Sequence, residues 1–139
     1  MNLLQEFGRL LAELGLGDYQ DGPGGDIYLR ASPPEPDTCL VVTRYPGAEA
    51  SSAQPYERVN LQIMIRGPAD EENATEDRAQ AVYDTLHGLD YRPLAGGTFL
   101  ELAIGLQGGP IPMPADANRR PRWTVNVGLD IQRSTPNRP

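Results

Sequence analysis

The segment from Arg58 to Gly88 constrains the fold most, because its hydrophobic period changes once, abruptly, in the middle. Apolar and polar side chains alternate through residues 59–66, which is the period of a strand with one buried face. The side chains expected to face a core are Val59, Leu61, Ile63 and Ile65, and those expected to face outward are Asn60, Gln62, Met64 and Arg66. Gly67-Pro68 ends the strand, since proline has no amide hydrogen for a ladder.

The residues after Pro68 have the spacing of an amphipathic helix that closes at His87-Gly88, where glycine suits a helix C-cap. The side predicted to face the sheet contains Ala74, Arg78, Ala81, Val82, Thr85 and Leu86. Acidic side chains crowd the first turns and compensate the positive end of the helix dipole. They are Asp70, Glu71, Glu72, Glu76 and Asp77.

A leucine-rich stripe predicts a first helix over residues 3–14. Its apolar side chains are Leu3, Leu4, Phe7, Leu10, Leu11 and Leu14, and its outward side chains are Gln5, Glu6, Arg9 and Glu13. Such a stripe can pack on the chain's own sheet or on a neighbouring subunit. We favour the chain's own sheet.

Further strands are expected at residues 27–29, 39–43, 98–104 and 123–132. Long loops separate them at residues 45–57 and 105–118, and in the second loop prolines at every other position discourage a regular ladder. Irregular alternation of strands and helices predicts an α+β fold, a mainly antiparallel β-sheet with two helices packed on one face. We expect a single domain over residues 1–133 and a disordered C-terminal tail over residues 134–139.

The composition excludes several classes of function. A net charge of −7 argues against a nucleic-acid surface as the main purpose. Cys39 is the only cysteine and is expected in the core, so no disulfide forms within the chain. His87 is the only histidine, so no pair of histidines can form a metal site. No apolar run approaches the ~20 residues that span a bilayer. No nucleophile elbow, phosphate loop or dinucleotide fingerprint is present, so we expect no catalytic residue, no metal site and no cofactor.

The densest basic cluster is Arg119, Arg120 and Arg122, followed directly by Trp123. The cluster is either a solvated loop end or an anchor for an acidic partner surface or DNA phosphates. These four residues are the candidate partner or subunit interface.

Taken together, these segments resemble the tail terminator proteins of long-tailed bacteriophages, a group also described as minor capsid or tail-completion proteins. The resemblance rests on the leucine-rich first helix, the short strand 26–29 before a proline loop, and the alternating strand 59–66. It also rests on the helix ending at residues 81–89 and on the final strand 123–127. These motifs are structural and carry no catalytic signature.

The resemblance implies a structural virion protein that closes into a ring, usually a hexamer, on the tail tube and offers a docking surface to the head–tail connector. The partners would be other copies of the chain, the tail tube protein and the connector, with no membrane and no small-molecule substrate. The protein would reside in the virion at the head–tail interface, and in the host cytoplasm during assembly. Ring closure needs two different complementary faces on each subunit, and we expect Arg119, Arg120 and Arg122 to meet acidic residues of a neighbour or the tube.

Two other classes of function stay open. One is a small α+β ligand-binding domain or enzyme acting through the loops 45–57 and 105–118. The other is a nucleic-acid-binding module that uses the arginine cluster and Trp123, for which steep salt dependence would be diagnostic.

Overall fold

A computed structural model describes all 139 residues and contains two α-helices and seven β-strands. In chain order they are α1 (Leu3–Glu13), β1 (Ile27–Leu29), β2 (Cys39–Tyr45), β3 (Tyr56–Arg66), α2 (Glu72–Leu86), β4 (Asp90–Pro93), β5 (Phe99–Gly105), β6 (Ile111–Met113) and β7 (Arg122–Gln132). Neither helix is long and apolar enough to cross a membrane.

The strands form one sheet in the order β1-β2-β3-β7-β5-β4, and β6 pairs with the first residues of β7. All pairings are antiparallel except that of β1 with β2. Side chains of α1 and α2 join those of the strands in one core of 21 buried residues, so both helices cover the same face. The predicted α+β architecture is confirmed.

The long central strands β3 and β7 form the middle of the sheet and pair along their whole length. The alternation predicted for β3 is confirmed, because the side chains expected to face the core are fully or almost fully buried: Val59, Leu61, Ile63 and Ile65. In β7 the alternate side chains Val125, Val127, Leu129 and Ile131 are fully buried in the same core, and Trp123 is partly buried against it. Arg66 also has the predicted orientation. This side chain lies on the outer face of the sheet yet is only 3% exposed, because the loop 33–37 covers it.

Helix α1 packs against its own sheet at β1 and β2, as expected. A capping box between Asn2 and Gln5 fixes its first turn. The outward placement of Glu6 is wrong. Its carboxylate is 3% exposed and accepts hydrogen bonds from the amides of Gly96 and Thr98 at 2.9 and 3.2 Å and from the Thr98 hydroxyl at 2.6 Å. Glu6 therefore joins α1 to the turn between β4 and β5.

Helix α2 is rotated relative to the sequence prediction. Its buried side chains are Thr75, Ala79, Val82 and Leu86, whereas Ala74 and Ala81 are exposed. Small residues tolerate either side, so alanine spacing defined the face poorly. Val82 and Leu86 carry the larger buried area and set the rotation against the sheet.

The expectation that prolines keep the 105–118 loop out of the sheet is also wrong. Residues 111–113 form β6 and pair with β7, with Pro112 opposite Trp123. Proline cannot donate a backbone hydrogen bond, so the donors of this ladder must be the amides of Ile111 and Met113. Backbone groups alternate in direction along a strand, so those of the prolines at 110, 112 and 114 point to the free edge of β6. The free edge of β6 consequently has no N–H group to offer another strand.

The other two sheet edges are also short and protected. At the β1 edge, the carbonyl of Asp18 accepts hydrogen bonds from the amides of Asp26 and Ile27. Strand β4 has four residues, ends in Pro93 and contains Tyr91 with a φ of 37°. Edges of this kind resist the addition of a further strand.

The chain end folds back toward the start of β3. Arg138 donates hydrogen bonds to the carbonyls of Ser51 and Gln54, and its guanidinium pairs with Glu57 at 3.0 Å. Arg133 pairs with the same carboxylate at 3.1 Å. The division into one domain, 1–133, and a disordered tail, 134–139, stays a prediction.

Candidate interaction surfaces

The predicted arginine cluster lies where the loop after β6 enters β7, and its members occupy different environments. Arg120 is buried, and its guanidinium bonds Asp116 at 2.8 Å, Asp37 at 3.2 Å and the carbonyl of Pro34 at 2.7 Å. Arg119 is highly exposed, with 77% of its side chain accessible, and reaches Asp70 at 3.3 Å. The three arginines are therefore not equivalent.

Arg120 and the buried Arg66 together hold the proline loop 33–37 against the outer face of the sheet. Arg66 donates to the carbonyls of Pro33, Pro36 and Asp37 at 2.7–3.1 Å. Planar guanidinium groups suit this work because each presents five donors in a fixed geometry. The pair thus satisfies carbonyls that a loop packed on a sheet would otherwise leave without partners.

The local charges shift the ionisation of this network. Burial alone would lower the pKa of Arg120, but its hydrogen bonds to Asp116 and Asp37 and their negative charges raise that pKa above the ordinary value. The backbone amide of Arg120 is the main cause that holds the pKa of Asp116 below its ordinary value, with the Arg120 side chain adding to it against desolvation. Both groups therefore stay charged, and Arg120 is committed to the fold.

The remaining candidates lie closer to solvent. Arg122 is half-buried and donates from Nε to the carbonyl of Pro114 at 2.9 Å. Trp123 is also partly buried and packs against the core. Of the four predicted residues, Arg119 is the fully accessible one, and the interface prediction for this segment stays a prediction.

A second basic surface, which the sequence pattern does not indicate, lies at the opposite end of the sheet. The parallel pairing of β1 with β2 brings Arg30 and Arg44 to the same end, although they are far apart in sequence. They line an open cavity of about 410 Å³ together with Leu3 and Leu4, at the N-terminus of α1. Arg44 also lines a neighbouring cavity of about 450 Å³, where Arg133 is paired with Glu57 and Glu6 is bonded to Thr98. We call this region the arginine groove.

The arginine groove carries unpaired positive charge. Nine of the twelve arginines donate a side-chain hydrogen bond within the chain, namely Arg9, Arg58, Arg66, Arg78, Arg119, Arg120, Arg122, Arg133 and Arg138. Arg30 and Arg44 have neither such a bond nor an ion pair and are both exposed. The N-terminus of α1 adds positive partial charge to the same region.

The first turns of α2, with the residue before them, form an opposite surface that we call the acidic helix face: Glu71, Glu72, Glu76 and Asp77. All four side chains are exposed and have no ion pair or hydrogen bond within the chain. In the sequence, this acidic run indicates compensation of the helix dipole. The structure adds that no cation of the same chain neutralises it.

The residues most often used in catalysis have structural contacts here. Cys39 is fully buried, and burial raises the pKa of its thiol. His87 accepts a hydrogen bond at Nδ1 from the amide of Gly105 at 2.9 Å and stacks on Tyr83 with ring centres 5.3 Å apart. No group of three or more metal-ligating side chains is close enough to hold a metal ion.

Comparison with known proteins identifies a family. A family model described as bacteriophage tail terminator protein matches residues 10–133, most of the chain. No curated protein matches the sequence.

Proposed function

The chain belongs to the bacteriophage tail terminator family, and from this premise we propose that it caps the tail tube as a ring and offers the ring's free side to the head connector. The family match over residues 10–133 is the observation that carries the proposal. It identifies a bacteriophage structural protein of the virion tail, and a structural family indicates a non-enzyme. The resemblance noted in the sequence is confirmed at this level.

Two structural features support a ring of copies. The sheet edges are short and blunted, which directs contacts to side-chain surfaces of limited extent. The arginine groove and the acidic helix face are two different surfaces of opposite charge on one chain, as head-to-tail closure requires. We propose six copies per ring, the tail tube protein below the ring and the connector above it, with assembly in the host cytoplasm.

In this proposal, fewer residues of the arginine cluster can contact a partner than the sequence predicted. Arg120 is committed to the loop 33–37, so contact with a neighbouring subunit or the tube falls to Arg119 and, at the edge of the segment, to Arg122 and Trp123. Asp70 already screens Arg119 in the free chain. Contact at this segment therefore exchanges one exposed ion pair for another, which contributes little free energy.

The ligand-binding alternative depended on the loops 45–57 and 105–118 acting together. A cavity of about 420 Å³ lies between residues 44–50 and 57–60 of the first loop and β3, and no residue of the second loop lines it. No observation in the structure favours this alternative over ring assembly.

The test uses tail tubes that lack a terminator, prepared from the phage or prophage that encodes the chain. We expect added protein to bind one tube end and stop further addition of tube subunits, with a ring visible by electron microscopy. Light scattering on the protein alone gives its mass before assembly. Tubes that keep growing with unchanged length distribution at saturating protein would overturn the proposal.

A further inference from the structure

We infer that the arginine groove of one copy receives the acidic helix face of a second copy, and that this pair of surfaces forms the head-to-tail contact. The inference deepens the proposed function and rests on it for the ring, although the contact itself is argued from the chain alone. The groove is concave, has an apolar floor of Leu3 and Leu4 and has two unpaired arginines, Arg30 and Arg44, at its wall.

The two surfaces cannot meet within one chain. Helix α2 follows Arg66, which pairs with Cys39 at the start of β2. Arg44 lies five residues further along β2, a distance of about 17 Å at the rise of a strand. Helix α1 runs between the same two ends, with Leu3 at the groove and Leu16 next to Arg78 of α2. Only another copy can bring the opposite charges together.

The balance of charge also selects the partner. Acidic residues outnumber basic residues 19 to 12, so a uniform surface would repel other copies. Two of the three arginines that have no side-chain hydrogen bond or ion pair, Arg30 and Arg44, lie at the groove, and the third, Arg92, is in β4. The densest free negative charge lies at the other end of the molecule, on α2. A contact that joins these ends removes the repulsion locally and fixes the orientation of neighbours.

Cysteine cross-linking tests the geometry directly. The variants Arg44→Cys and Glu76→Cys each add one exposed thiol, while native Cys39 is fully buried and does not compete. At a chain concentration of about 1 mM, where weak contacts are populated, we expect a mixture of the two variants to form the mixed disulfide faster than either variant dimerises alone. A mixture of Arg44→Cys with Asp84→Cys, an exposed position further along α2, is the matched control and should cross-link no faster than background.

Charge reversal tests the energetics. Arg44→Glu and Glu76→Arg should each weaken self-association at least about tenfold, and mixing them should restore it to within about threefold, since each mixed contact again pairs opposite charges. Light scattering and sedimentation at low salt measure both effects. Circular dichroism of each variant checks that it is folded.

The outcomes separate this inference from the proposed function, because both measurements are made without tail tubes. Absence of the mixed disulfide, or efficient dimers of Arg44→Cys alone, overturns the head-to-tail contact. A chain that cross-links as expected but leaves tube growth unchanged retains the contact and loses the terminator function. A chain that caps tubes without the mixed disulfide retains the function and loses the contact.

Discussion

The buried carboxylate of Glu6 gives the sharpest prediction about what holds this fold together. Glu6→Ala removes the acceptor for three donors, the amides of Gly96 and Thr98 and the Thr98 hydroxyl. Gly96 is exposed, so water replaces its partner, but Thr98 is only 5% exposed and both of its donors lose theirs. At about 1–3 kcal/mol for each unsatisfied buried group, we expect a loss of about 3 kcal/mol.

The assay is urea unfolding followed by fluorescence of Trp123 and by circular dichroism, with thermal unfolding in parallel. A loss of that size corresponds to roughly 6–12 °C in the melting temperature of a domain this long. Glu13→Ala, an exposed position on the same helix, is the matched control for charge and helix propensity. Glu6→Gln should cost less than about 1.5 kcal/mol, since its amide oxygen still accepts both backbone bonds while the Thr98 hydroxyl turns to accept from the amide nitrogen.

If the free energy of unfolding of Glu6→Ala lies within about 0.5 kcal/mol of that of Glu13→Ala, the buried carboxylate of Glu6 does not stabilise the fold as described. If Glu6→Gln were as unstable as Glu6→Ala, the negative charge and not the acceptor geometry would be the stabilising feature.

Three further predictions follow from other contacts. Arg120→Ala should lower the melting temperature clearly more than Arg119→Ala, because the first breaks a buried network and the second an exposed pair; equal effects would contradict the assignment. Gly105→Ala should cost about 1–3 kcal/mol in denaturant unfolding, since an added Cβ would overlap the ring of Tyr83, and Tyr83→Leu in the same chain should recover part of the loss. Burial opposes the ionisation of Glu57, but hydrogen bonds from two arginines hold its pKa below the ordinary 4.5. That stabilisation is complete above pH ~4.5 and disappears as pH falls through the folded pKa, so Glu57→Gln should flatten the acid limb of the stability curve, and an unchanged limb would contradict the pairing.

The sequence predicted the sheet well because the central strands have strong, unbroken alternation. Residues 59–65 and 125–131 each place four consecutive same-face side chains in the core, a pattern that no helix satisfies. The sequence did not predict burial by a loop or a turn that is distant along the chain. Arg66 is covered by residues 33–37, and Glu6 is buried by a turn 90 residues away. The hydrophobic periodicity of one strand or helix contains no information about which distant loop or turn packs over it.

For the interaction surfaces, too, local sequence predicts less than the tertiary contacts show. The sequence predicted an interface at Arg119, Arg120 and Arg122 because these arginines are close in sequence, yet Arg120 lies inside the fold. Arg30 and Arg44 were missed because only the parallel pairing of two short strands makes them neighbours. A charge cluster in sequence measures local density, whereas a docking surface depends on which charges the tertiary contacts leave unpaired.

The outward prolines of β6 have a consequence for aggregation at high protein concentration. At high concentration, a chain with a bare strand edge could pair with other copies along that edge and template fibres. A strand edge that lacks amide donors cannot complete the hydrogen-bond ladder of a further strand. The other sheet edges are too short to pair with a long strand. The chain is therefore expected to stay dispersed at high concentration instead of extending its sheet into fibres.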